Sequence, residues 1–208
     1  MAAPTPHQLR ALKKADPRLA EAMKSLPAFP GFPDAASKRL SHWHSLARAI
    51  VFQQLAGAAA YTIFKRTCAL TSGAGLAKPE DFLKLPEDLL RSAGLSRNKA
   101  LALIDLATHI CDGRLKLRGL TYRTDQEVID LLTDVRGIGP WTAQMFLIFK
   151  LGRLDVLPIA DLGVQEGLRI LDGLKERPTA KELEVRGAAW APLRSVASWM
   201  MYRIVDQG

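Results

Sequence analysis

Cysteine is nearly missing from this chain: 208 residues hold two, Cys68 and Cys111. Two thiols cannot build a disulfide framework or a four-cysteine metal site. Both lie in apolar helical patterns and are expected as buried thiols. No apolar run has the length that spans a bilayer. The first residues carry no apolar signal-peptide core, so a soluble intracellular protein is expected. Period-two alternation is almost absent, which argues against a sheet-built domain. There is no internal repeat and no low-complexity tract.

What is present is apolar content of 48%, ample for a core, and 29 Lys and Arg against 21 Asp and Glu, a net charge of +8. The length fits one large domain or two tightly packed lobes, and the charge favours an anionic partner. Helical spacing runs through most of the chain. After a mobile start over 1–6, His7 to Leu26 reads as helix with an interruption near Asp16-Pro17. Pro27 to Ala36 reads as a proline-rich loop, and Ser37 to Phe52 as one long helix. Its apolar face is Leu40, Trp43, Leu46, Ala47, Ile50 and Val51. Helices are expected over 58–70, 79–84, 86–93, from the Ser96 cap to Cys111, and over 125–134, 161–171, 179–190 and 192–205. A loop is expected at 71–77, and irregular or extended chain at 113–123. The class is all-α.

The chain is organised around Val135 to Val164. Gly137-Ile138-Gly139 is a turn that a glycine pair makes at low cost. Asp125 to Asp134 reads as the helix before it. Pro140 suits a first helical position and opens a helix to Leu151, with Phe146, Leu147, Ile148 and Phe149 mostly buried. Helix, hairpin, helix aims backbone N–H groups and a helix N-terminus outward, a site that suits a phosphate. A loop then leads to Pro158-Ile159-Ala160-Asp161 and a further helix. Asp161, just before Leu162-Gly163-Val164, reads most simply as the N-cap of that helix. Asp155 reads as a loop residue.

Gly137-Ile138-Gly139-Pro140-Trp141-Thr142-Ala143, followed twenty residues after Trp141 by Asp161, resembles the helix-hairpin-helix glycosylases of base-excision DNA repair. The likeness is to their 3-methyladenine branch. It extends to Ile50-Val51-Phe52-Gln53-Gln54-Leu55, to Gly94-Leu95-Ser96 with Lys99-Ala100, and to Trp190 with Leu193-Arg194-Ser195, covering about 35–205. The resemblance implies one domain over 1–208, divided as an N-terminal helix and loop (1–34), a helical lobe (35–134), the hairpin and catalytic loop (135–164) and C-terminal helices (165–208). It implies two helical lobes with a base pocket in the cleft between them.

By the same resemblance Asp161 is the catalytic carboxylate, compatible with its capping role. Bifunctional relatives carry a lysine at the position of Trp141; a tryptophan there implies a monofunctional hydrolase that leaves the strand uncut. Trp141 then lines the base pocket, with Met145 (or a core methionine) and Trp190. Trp43 and Trp199 fall on apolar faces and read as core. Extrusion of a base leaves a gap in the duplex; Gln54 is the expected wedge, with Leu55 the apolar alternative, while Gln53 braces the turn. Gly137, Gly139, Thr142 and Arg136 are expected at the DNA backbone. Arg97 and Lys99 are expected there too, or else as a solvated helix start. The family also implies a Na+ or K+ ion on the main-chain carbonyls of Asp134, Arg136 and Ile138. No cofactor is required, and the cysteine count excludes an iron–sulfur cluster. The chain lacks room for the N-terminal β-domain of one subgroup and resembles the compact form. The implied protein is a monomer acting on double-stranded DNA with damaged bases, away from membranes, in cytoplasm and nucleoid if bacterial and in the nucleus if eukaryotic. The implied activity is excision of 3-methyladenine, 7-methylguanine and related alkylated purines. The alternatives are a non-catalytic DNA-binding module and a glycosylase for other damaged bases.

Overall fold

The structure, a computed structural model, describes residues 3–55, 57–71 and 75–207. The expected start over 1–6 and loop over 71–77 therefore each fall partly outside the described residues. Thirteen α-helices are present among those described: α1 Pro6–Ala15, α2 Pro17–Ala22, α3 Ala35–Arg39, α4 His42–Phe52, α5 Gly57–Cys68, α6 Pro79–Phe82, α7 Glu87–Ser92, α8 Arg97–Cys111, α9 Asp125–Thr133, α10 Pro140–Phe149, α11 Leu162–Asp172, α12 Ala180–Gly187 and α13 Arg194–Gln207. Short 3₁₀ turns occupy Leu120–Tyr122 and Ala188–Trp190. No described helix is long and apolar enough to cross a membrane.

Local chemistry sets the boundaries. Capping boxes start α1, α9 and α12: Thr5, Thr124 and Thr179 accept from the backbone N–H of Gln8, Glu127 and Glu182, whose side chains reach back. Thr5 is thus tied into a helix start rather than left mobile. The break near Asp16-Pro17 is real, because the Asp16 side chain caps α2 through the Leu19 N–H at 3.0 Å. The single long helix expected over 37–52 is two. The Ser41 hydroxyl accepts from the His44 N–H and starts α4 afresh, and Leu40 falls outside it.

The chain forms two compact units: residues 1–36 with 147–208, and residues 37–146. This differs from the expected sequential division. The hairpin belongs to the second unit, and the 151–164 stretch to the first.

In the first unit, α11 and α13 cross closely. A Cβ on Gly167 would overlap the Met201 backbone, and one on Gly163 would lie 2.8 Å from the Tyr202 ring. Around this crossing Val164, Leu168, Leu183, Trp190, Leu193, Val196 and Met201 form the core with Leu12 and Leu19. A polar knot sits inside it. Asp16, 2% exposed, accepts from the Trp190 indole at 2.7 Å and from Arg186 at 2.8 Å. Arg186 also holds Asp172 at 2.8 Å. Burial opposes the Asp16 charge, but the Trp190, Leu19 and Arg186 hydrogen bonds outweigh it and hold the carboxyl below the usual range.

In the second unit α4 buries Trp43, Leu46, Ala47, Ile50 and Val51, and α8 buries Ala100, Leu103, Leu106 and Ala107. Trp43 donates its indole N–H to the Ala77 carbonyl at 2.8 Å and meets Phe82 edge-on, a core role as expected. Cys68 is half-buried and Cys111 exposed. The latter corrects the expected burial, since α8 ends there and turns its last residue to solvent.

The Gly167 contact yields a stability prediction. Gly167→Ala adds one methyl against Met201 and should lower the stability of the fold by about 1–3 kcal/mol despite alanine's better helix propensity. A fall in urea midpoint with unchanged slope checks it; an unchanged or raised midpoint contradicts the close crossing.

Candidate functional site

Three pieces of local structure carry the chemistry-bearing residues. The first is the hairpin. α9 ends at Thr133, and Val135 and Ile138 turn inward while Arg136, Gly137 and Gly139 stay exposed. Gly137 has φ +78, and a Cβ there would lie 2.9 Å from the Ala102 side chain, so glycine is required twice over. Gly139 differs: it has no positive φ, and a Cβ would meet nothing. The fold therefore needs one glycine of the pair, and Gly139 keeps open space over its backbone. The Arg136 N–H donates to Asp105 Oδ2 at 2.8 Å, which anchors the turn to α8. α10 starts at Pro140, so the N–H groups of Trp141 and Thr142 lie in a first helical turn, where no intrahelical acceptor exists.

The second piece is the turn after α4. The Gln53 side-chain amide donates to the Gly137 carbonyl at 2.9 Å and to Thr142 Oγ1 at 3.0 Å. Bracing was expected of Gln53; what it ties is the hairpin itself. The Thr142 hydroxyl is accordingly interior. Gln54 has φ 55, a left-handed conformation that is uncommon outside glycine. It and Leu55 stand exposed. Lys99 does not reach outward as a backbone contact would. Its ammonium donates to the Val51 and Gln53 carbonyls at 2.8 and 2.7 Å, and burial lowers its pKa below the usual lysine range. This corrects the expectation that it meets a phosphate. Arg97 is exposed at the start of α8, 3.6 Å from Glu87. On α10, Trp141 is 41% exposed and Met145 half-buried.

The third piece is the carboxylate. Asp161 caps α11: its Oδ1 accepts from the Val164 N–H at 2.9 Å. Its Oδ2 accepts from the Tyr202 hydroxyl at 2.8 Å. Both oxygens are thus oriented, and the residue is 6% exposed. Burial, the Asp161 charge and the hydrogen bond to it push the Tyr202 hydroxyl far above the usual tyrosine pKa, so it remains a donor. The loop leading to Asp161 is pinned to the start of α13. Arg194 grips Asp155 through Nε at 2.7 Å and Nη2 at 2.8 Å. The buried Ser195 hydroxyl accepts from the Val156 N–H at 2.8 Å. Asp155 is therefore a loop residue engaged by an arginine. Trp190 is wholly buried with its N–H given to Asp16; it is core, not a pocket wall. Trp199 packs on the same core beside Phe29, at 5.4 Å between ring centres.

Sequence reasoning missed Tyr202. The available signal was the Gly163-x-x-x-Gly167 spacing on α11, a mark of close helix approach, which the α13 tyrosine exploits. Among the described residues no group of three or more His, Cys, Asp or Glu gathers as metal ligands.

The HhH-GPD pattern, described as a base excision DNA repair superfamily, matches residues 47–192. DNA-3-methyladenine glycosylase 1 of Schizosaccharomyces pombe is 31% identical over 82% of this chain and 75% of its own. The putative DNA-3-methyladenine glycosylase YfjP of Bacillus subtilis is 31% identical over 80% of this chain, which spans 60% of that protein. The solved structure of S. pombe Mag1 with abasic DNA superposes with TM-score 0.81 at 28% identity, covering 94% of this chain and 95% of Mag1. The DNA-3-methyladenine glycosidase of Bacillus halodurans gives TM-score 0.82 at 34% identity, covering 97% and 90%.

The Tyr202 environment is measurable. In Tyr61→Phe/Tyr122→Phe, Tyr202 is the sole tyrosine, and tyrosinate absorbance should not appear as pH passes about 10. It should appear only as the chain unfolds. The stability this hydroxyl confers is whole below its unfolded pKa and drains as pH climbs above it toward the folded value. Ordinary titration near 10 in the folded protein would contradict the Asp161 contact.

Proposed function

The chain belongs to the HhH-GPD superfamily of base excision DNA repair proteins, and we propose that it is a monofunctional glycosylase that extrudes alkylated purines from duplex DNA and hydrolyses their N-glycosidic bonds. The observation that carries the reading is Asp161: a carboxylate fixed at both oxygens, at the start of α11, twenty residues after a tryptophan that stands where bifunctional relatives carry lysine.

The chemistry needs little more. Departure of the base leaves positive charge on the sugar, and a fixed anion stabilises it as it develops. Water supplies the hydroxyl at the anomeric carbon, and its proton passes to the carboxylate or to solvent. The base takes the electron pair of the broken bond. An alkylated purine such as 3-methyladenine or 7-methylguanine is cationic and already a good leaving group, so no strong acid is required. The exposed Trp141 ring offers an electron-rich face to such a base by stacking and cation–π attraction. Without an amine at position 141 no Schiff base forms, and the strand stays intact.

The DNA contacts follow the same proposal. Gly139 and the first-turn N–H groups of α10 receive a phosphate, with the exposed Arg136 and Arg97 side chains supplying charge. Gln54, or Leu55, fills the gap left by the extruded nucleotide. Among the described residues the Val135, Gly137 and Gly139 carbonyls accept from Ile138, Gln53 and Ala143; the carbonyls of Asp134, Arg136 and Ile138 would hold a monovalent cation at the hairpin. A cation held there would add positive charge beside the phosphate.

The second reading, a DNA-binding module without chemistry, draws on the Val164 bond, because Asp161 already serves as a helix cap. One substitution separates the two. Asparagine caps as well as aspartate, so Asp161→Asn should fold and bind DNA normally. It should release free base from methylated duplex at least about 10²-fold more slowly. No release by the wild type from duplexes carrying 3-methyladenine, 7-methylguanine or ethenoadenine overturns the substrate class, and equal rates for both proteins overturn the role of Asp161.

A further inference from the structure

The turn that carries Gln54 and Leu55 is held at two points, and neither is a contact with its own helix. From one side Lys99, on α8, places its ammonium on the carbonyls of Val51 and Gln53. These are among the orphan acceptors at the C-terminus of α4, where a cation also complements the helix dipole. From the other side the Gln53 amide reaches the hairpin at Gly137 and Thr142. Between these ties Gln54 adopts its left-handed conformation, which a non-glycine residue keeps only where the surroundings over-determine it. Among the described residues of the turn, Gln54 and Leu55 stand exposed. The hairpin and the turn are therefore one braced body, with Gln53 as the strut and Lys99 as the clamp.

We propose that Lys99 is a positioning residue for base extrusion, clamping the insertion turn to the phosphate-gripping hairpin through Gln53 instead of contacting DNA. The proposal rests on the glycosylase reading above. It makes phosphate binding and wedge placement a single event: a hairpin seated on the backbone brings Gln54 to a set depth in the duplex. Loss of the clamp leaves the grip intact and the wedge loose.

A phosphate contact and a clamp predict opposite behaviour. Lys99→Met keeps the stem and removes the charge; Lys99→Arg keeps donors for the carbonyls. Duplex affinity is measured against salt concentration. Single-turnover release is measured for 7-methylguanine paired with cytosine, and for the same lesion opposite an abasic gap, where extrusion is already largely done. Insertion is read without chemistry from 2-aminopurine beside a tetrahydrofuran abasic analogue. For Lys99→Met the clamp predicts an unchanged salt slope and a weakened 2-aminopurine signal. Release should be about 10-fold or more slower from the paired lesion, as expected when unpairing energy is no longer met by the wedge. The unpaired lesion should be nearly unaffected. Lys99→Arg should restore most of the paired rate. Gln53→Leu, which cuts the strut from the other end, should reproduce the paired-against-unpaired split and covers the case in which Lys99→Met fails to fold. A salt slope reduced by about 0.9, the value of one lost phosphate contact, overturns the proposal. So does equal slowing on both lesions or an unchanged 2-aminopurine signal. If the wild type releases no base, the glycosylase reading fails, while the insertion signal still decides the clamp.

Discussion

The arrangement depends on one carboxylate that cannot turn. Asp161 gives one oxygen to the Val164 N–H and the other to the Tyr202 hydroxyl. A charge serves a developing cation only if it is already oriented when the cation forms, because reorienting it would cost what it contributes. Much of the first unit serves that orientation. Gly163 and Gly167 let α11 and α13 approach until the tyrosine ring lies over the start of α11. Arg194 and Ser195, at the start of α13, fix the loop through Asp155 and Val156. α13 thus holds both the loop before the carboxylate and the carboxylate itself.

On the proposed function, the second unit meets a different demand. Gripping a phosphate and driving a side chain into a duplex both need backbone that is rigid and exposed, and exposed backbone is usually loose. Here rigidity comes from polar side chains that reach backbone from neighbouring elements: Gln53 to Gly137, Lys99 to Val51, Asp105 to Arg136. The surplus of basic residues then acts on a framework already set. On the proposed function, charge draws the DNA in and the braced turns set what happens on arrival.

The helices were legible because apolar spacing and caps are local. Ser96 marked the start of α8, and Asp16-Pro17 marked a break that the structure keeps. Ser41 was equally local, but the apolar face running through it hid the break between α3 and α4. The Asp161 cap was readable for the same reason, since aspartate before Leu-Gly-Val is a helix start. Side-chain partners distant in sequence were not readable. Lys99 looked like a surface cation at a helix N-terminus, and nothing in its neighbours says that the carbonyls of α4 lie within its reach. Trp190 looked like a pocket aromatic, while its partner Asp16 is 174 positions away. Tyr202 carried no signal of its own; only the glycine spacing on α11 hinted that something approaches there. Residues whose task is to hold another residue become visible when helices are packed, because their sequence context is that of ordinary helix faces.

The central claim is that Asp161 acts as a fixed anion toward a cationic sugar, and affinity for a charged sugar mimic tests it most directly. Duplex DNA carrying a pyrrolidine abasic analogue, cationic at neutral pH, is compared with the uncharged tetrahydrofuran analogue, for the wild type and Asp161→Asn. The account predicts that the wild type binds the cation about 10²-fold or more tightly than the neutral mimic, as transition-state analogues do. Asp161→Asn should lose that preference while holding the neutral analogue as before. Equal affinity of the wild type for both mimics, or a preference that survives in Asp161→Asn, would contradict it.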